Sequence, residues 1–128
     1  MKKDHGEHNR KLCDKIIDIP ENYNDWIVTT AFYSAIHYVD HKLFQIQPLE
    51  HGDKTLSNID HAKRVLGYQS RHELREMLVT LHLKPISIGF SYLYKNCRTA
   101  RYINYTVDDI TARNARNYLS AIEKVCCE

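Results

Sequence analysis

The chain is predicted to be all-α, one up-and-down antiparallel bundle of about five to six helices spanning residues 1–128 as a single domain. Three observations lead there. Apolar residues recur at helical spacing along the length, strand-like alternation is absent, and breakers are scarce, with four glycines and three prolines in 128 residues.

The elements follow in order. A first helix is expected over about residues 8–19, with Leu12, Ile16 and Ile19 on one stripe, stopped by Pro20. Asn24 or Asp25 caps a long second helix reaching about Gln45. Gln47-Pro48 ends it, and the polar run 50–55, containing Gly52, reads as a loop. Ser57 or Asn58 opens a third helix that ends near Gly67. Ser70 with Glu73 forms a capping box for a fourth, through about Leu83. Pro85 suits the first turn of a fifth, reaching Tyr102. Thr106 with Asp109 reads as a second capping box, opening a sixth helix that ends near Cys126.

Hydrophobic residues make up 43% of the chain and charged residues 27%, an ordinary globular balance. No apolar run approaches the ~20 residues that span a bilayer, and no apolar stretch follows the charged N-terminus, so the expectation is a cytoplasmic chain without a membrane partner. No Cys-x-x-Cys pair is present. Cys13 and Cys97 read as buried thiols, and the adjacent Cys126 and Cys127 are poor disulfide partners. A net charge of +2 is too small to argue for nucleic acid, although residues 84–116 hold two lysines and four arginines against Asp108 and Asp109. That local excess reads equally as a solvated face.

The second helix carries the most information. Val28, Phe32, Ala35, Val39 and Leu43 share one side, widened by Ile27, Ala31 and Tyr38, which places this helix in the middle of the bundle. A narrow polar stripe interrupts it: Tyr33, His37 and His41 at i+4 steps, flanked by Thr30 and Asp40. Each such group costs about 1–3 kcal/mol if buried without a partner. The stripe therefore either meets other polar side chains or opens into a cleft. His37 and His41 one turn apart also suit a metal, but the third ligand, His61 or Asp40, is not selected by spacing.

On the fifth helix, Phe90, Leu93, Cys97 and Ala100 make the apolar stripe, with Tyr94, Arg98 and Arg101 along its edge. Arginines there either grip phosphate bidentately or pair with a core carboxylate such as Asp40.

Three stretches read together resemble the HEPN superfamily (higher eukaryotes and prokaryotes nucleotide-binding). They are Thr30-Ala-Phe-Tyr-Ser-Ala-Ile-His37, then His61-Ala-Lys-Arg64, then Tyr92-Leu-Tyr-Lys-Asn-Cys-Arg98-Thr-Ala-Arg-Tyr102. The resemblance covers about residues 22–122. It implies a helical bundle, often a homodimer, associated with RNA, in some members a metal-independent endoribonuclease of toxin–antitoxin or antiviral systems, with a nucleotidyltransferase as a possible partner protein. No cofactor or metal is implied. In that family an Arg followed after about four to six residues by His does the chemistry, His moving a proton and Arg stabilising the phosphorane charge. Here Arg113-Asn114 opens such a motif without a later His, and only Arg75 to His82 fits formally. The resemblance thus makes His37, Arg98, Arg101, Arg75 and His82 candidate catalytic residues, and Tyr33, Asp40, His61, Arg64 and Tyr102 candidate nucleotide-binding ones. The competing expectation is a non-catalytic dimerisation or adaptor bundle whose polar stripe fixes packing register.

Overall fold

The computed structural model describes residues 2–127. It contains six α-helices among these residues: α1 Lys2–Ile16, α2 Asn24–Asp40, α3 Ile59–Leu66, α4 Arg71–His82, α5 Ser87–Tyr102 and α6 Asp109–Cys127. Two short strands, β1 Leu49–His51 and β2 Lys54–Leu56, pair antiparallel between α2 and α3. No helix among the described residues is long and apolar enough to cross a membrane.

Helix α2 sits at the centre because it is apolar on nearly every side: thirteen of its seventeen residues are buried. It packs on α1, α5 and α6, and the contacts fix the directions. Gly6 meets Ser34 and Tyr38 while Cys13 meets Ile27, so α1 runs antiparallel to α2. Arg101 meets Asp25 and Tyr94 meets Phe32, so α5 does too. Asn24 bonds Asp109 and Tyr38 bonds Glu123, so α6 runs parallel to α2, behind it. Helix α4 lies outside this set, against α5.

Two glycines let helices approach closely. A Cβ on Gly6 would stand 2.7 Å from the Tyr38 ring, and one on Gly89 2.7 Å from the Tyr118 ring. At Gly6 the carbonyl also accepts the Ser34 hydroxyl at 2.6 Å, so a buried polar side chain of α2 is satisfied by the backbone of α1.

Several local expectations change. Helix α1 begins at Lys2 rather than His8 and ends at Ile16 rather than Ile19. Its first turns contain His5, Gly6 and His8, weak formers that are helical because Gly6 docks on α2. Helix α2 continues toward Gln45 as expected, but its last turn, His41–Gln45, widens to π geometry. The 50–55 run is a hairpin and not a plain loop. The two-residue connection Gly52-Asp53 has Gly52 at φ +61°, as a type II′ turn needs at its first central position. Leu56 is buried and Leu49 packs on the core, so the ribbon has an apolar side too short for a periodicity search. Asn58 and Ser70 cap α3 and α4 as expected, through the amides of His61 and Glu73. Pro85 falls in a 3-10 turn just before α5. The cap of α6 is Asp108, whose carboxylate accepts the Thr111 amide at 2.7 Å; Thr106 lies outside the helix.

Candidate functional site

The polar stripe of α2 splits between two environments. Its exposed strip carries Trp26 and Tyr33, both 45% exposed, and lies between α1 on one flank and α5 on the other. Beside Tyr33 a cleft of about 170 Å³ opens toward α5 and α4, lined by Phe32, Tyr33, His72, Tyr94, Cys97, Arg98, Arg101 and Tyr102.

Helix α5 supplies the cleft's far wall for a simple reason of phase. Phe90, Leu93, Cys97 and Ala100 are buried, and this leaves Tyr94, Arg98 and Arg101 on the rim facing α2. Phe32 is the floor. Its ring stacks on Tyr94 at 5.7 Å and 30° and touches Phe90 at 5.8 Å and His72 at 5.6 Å. His72 in turn lies 5.4 Å from the Tyr94 ring. The imidazole is thus clamped between two aromatics. Its Nδ1 is buried without a hydrogen-bond partner among the described residues. Burial pushes the His72 pKa down, and the neighbouring Arg75 and Arg71 push it the same way. The ring is neutral at pH 7.

The two arginines of the rim differ. Arg101 is engaged: its Nη2 donates to Asp25 at 2.7 Å, and its guanidinium lies 4.0 Å over the Trp26 ring. Arg98 is exposed, and no ion pair or hydrogen bond involving it occurs among the described residues. Tyr102, 83% exposed, projects from the end of α5 at the cleft mouth. Burial raises the Tyr33 pKa, so its hydroxyl is a neutral donor. Burial likewise raises that of Cys97, whose thiol stays protonated.

Of the candidate site residues read from sequence, Tyr33, Arg98, Arg101 and Tyr102 come together here, joined by Tyr94 of the α5 margin. The others do not. His37 does not line the cleft; its ring meets His5 of α1 edge-on at 5.2 Å. Its pKa is lowered, mainly by burial and then by Lys2 and His5. Asp40 pairs with neither Arg98 nor Arg101. Arg75 takes it bidentately, Nε to Oδ1 at 2.9 Å and Nη2 to Oδ2 at 2.8 Å, with both side chains under one-tenth exposed. Arg75 is therefore a buried structural cation, unavailable to a substrate. His82, two turns along α4, bonds His51 of the hairpin at 2.9 Å, so these two residues form no joint site. His61 accepts the Ser57 amide through Nδ1, and Arg64 is exposed on α3; neither lines the cleft. His41 reaches Gln45 and not His37.

His72 is the cleft residue that sequence reasoning passed over. The signal was present: the Ser70 cap fixes the start of α4, which sets His72 and Arg75 one turn apart on the side bearing buried Val79. Chemically, aromatic faces beside an uncommitted guanidinium can stack a planar base and hold a phosphate. A neutral imidazole can accept a proton. No family model matches the chain, and no curated protein and no solved structure matches it, so the case for function stands on the geometry of this face.

Proposed function

We propose that this chain is an RNA-associated helical domain whose cleft between α2, α4 and α5 takes a base of single-stranded RNA, with Arg98 on the adjacent phosphate. The observation that carries the reading is the contrast among the arginines. Arg75 and Arg101 are committed to Asp40 and Asp25, whereas Arg98 stands free beside Tyr33, Tyr94 and Tyr102. Stacking is tolerant of base identity, so the domain binds single strands with little sequence preference.

The test is fluorescence anisotropy of a labelled oligouridylate, titrated with protein at several salt concentrations. Affinity should fall as salt rises, and Arg98→Ala should both weaken binding and flatten the log–log slope by about 0.7, the share of one phosphate on a single strand. Binding that is indifferent to salt, or absent at low salt, refutes the reading.

Metal-independent cleavage is the stronger form of the same proposal. The imidazole in reach of a strand in the cleft is His72, not His37 or His82. With chelator present, His72→Ala should remove cleavage while His82→Ala leaves it intact; loss in His82→Ala alone would contradict this assignment. A second reading, a dimerisation or adaptor module, is favoured by the exposed Leu12, Ile19, Tyr23 and Trp26 beside the cleft. It predicts a dimer that dissociates on dilution, seen by light scattering.

A further inference from the structure

The cleft is too small to account for a strand by itself. At about 170 Å³ it falls short of the ~300–1,000 Å³ typical of sites that enclose a whole small ligand, so it has room for one base. A chain of nucleotides must continue across the surface, and the structure offers one direction with the right chemistry.

On the other side of the exposed strip of α2 lies a second groove, of about 320 Å³, between α1 and α2. Leu12, Ile16, Ile19, Tyr23, Trp26 and Thr30 line it. Tyr23 and Trp26 are 43% and 45% exposed, which leaves a large part of each side chain open to solvent. The groove and the cleft meet at the Trp26–Arg101 contact: Arg101 lines the cleft, and its guanidinium sits on the indole that lines the groove. Asp25 and Trp26 hold that guanidinium from two sides. Neither lining contains a carboxylate, and Asp25 at the junction is already neutralised by Arg101 at 2.7 Å. A polyanion crossing from one to the other therefore meets aromatic faces and a charge-balanced Arg101–Asp25 pair, with no unpaired acid in either lining.

We infer that the α1/α2 groove is a second base subsite of the same strand, with Trp26 and Tyr23 as its stacking platform. The inference rests on the RNA reading of the cleft. It adds that the ligand is an extended single strand, bridging α2 at Arg101, and not a mononucleotide. The apolar side chains of the groove suit the faces of bases, and the phosphates stay at the rim. Stacking on an exposed aromatic is sequence-tolerant, which fits a groove without polar reading groups.

Trp26 is the only tryptophan in the chain, so its fluorescence reports on this groove and on the Arg101 contact at its edge. The experiment titrates the full chain with uridine monophosphate and with an oligouridylate of about eight nucleotides, within the usual range of single-strand site sizes. The oligomer should quench Trp26 saturably and bind more tightly than the mononucleotide. Trp26→Ala should weaken oligomer binding, read by anisotropy, by roughly 5- to 150-fold, the loss of one stacked base. Mononucleotide affinity should fall far less than oligomer affinity, because Arg98, Tyr33 and Tyr94 of the cleft are untouched. Trp26→Phe should retain most of the oligomer affinity, which guards against a folding defect in the alanine variant. Arg98→Ala should weaken both ligands.

If Trp26→Ala binds the oligomer like wild type while Arg98→Ala does not, the second subsite is wrong and the cleft survives. If neither ligand binds wild type, the RNA reading itself falls. A Trp26 emission shift that depends on protein dilution without RNA, and that the oligomer cannot compete away, assigns the groove to a second copy of this chain and overturns the inference.

Discussion

Replacing Arg75 by methionine removes the cation that α4 sends into the core to meet Asp40 of α2. The side chain it leaves behind, Asp40, is 4% exposed and loses bonds of 2.9 and 2.8 Å together. Removing one member of such a pair strands the other, at about 3–5 kcal/mol. The size of the chain converts that into a melting temperature. With 128 residues, the entropy of unfolding is about 270 cal/mol/K, so each kcal/mol lowers Tm by about 4 °C. Arg75→Met should then lower Tm by about 11–18 °C, measured by differential scanning calorimetry. Adding Asp40→Leu should recover most of the loss, since the apolar pair no longer contains a stranded charge. The two changes must couple strongly in a double-mutant cycle. A single Arg75→Met variant destabilised by less than about 1 kcal/mol would refute the structural role assigned to Arg75 and reopen a catalytic one.

Further predictions follow from the same contacts. Gly6→Ala puts a methyl 2.7 Å from the Tyr38 ring, which cannot swing aside because it is fully buried and its hydroxyl donates to Glu123 at 2.8 Å. The expected cost is about 1–3 kcal/mol by urea unfolding, and a neutral result would mean α1 is not docked there. His37, His72 and His82 all have pKa values lowered by burial first. The folded state therefore binds fewer protons than the unfolded one, so stability rises with pH. It should be level above the ordinary histidine value of about 6.5, fall as pH drops through it, and level off below the folded values. Urea midpoints measured from about pH 8 down to about pH 5 test this, and His72→Gln should flatten the profile; unchanged midpoints across that window would contradict the burial of these rings.

How much of this was legible in the sequence depends on the range of the interaction. The buried side of α2 was, because Val28, Phe32, Ala35 and Val39 repeat at a period that only a helix satisfies. So was the α5 stripe, and with it the placing of Arg98 and Arg101 at a margin. Capping at Asn58 and Ser70 was legible because it is decided within three residues. Pairing was not. Asp40 was expected to meet Arg98 or Arg101 of α5; its actual partner, Arg75, reaches it from α4, a contact 35 residues apart in the chain that spacing does not reveal. His37 failed as a cleft residue for a similar reason: one α-turn past Tyr33, it meets α1, whose first two turns lay outside the helix expected from sequence. An N-terminal helix whose docking depends on a missing Cβ at Gly6 leaves no periodic trace.

The distribution of ion pairs sets the kind of recognition this face can perform. Arg10 reaches Asp14 and Glu123, Arg71 reaches Asp60, Arg75 reaches Asp40, Arg101 reaches Asp25 and Arg116 reaches Asp14. A phosphate competing for Arg75 would have to displace a buried bidentate carboxylate, which costs more than an exposed phosphate contact returns. Arg98 has no such prior commitment, so a phosphate gains there without breaking anything. One free arginine is a weak electrostatic grip, consistent with the net charge of +2, and cannot by itself hold a strand at cellular salt. Affinity must then come from the aromatic side chains on either side of it. Binding by this face should accordingly be more sensitive to loss of Tyr33 or Trp26 than to salt, the reverse of what a basic groove would show.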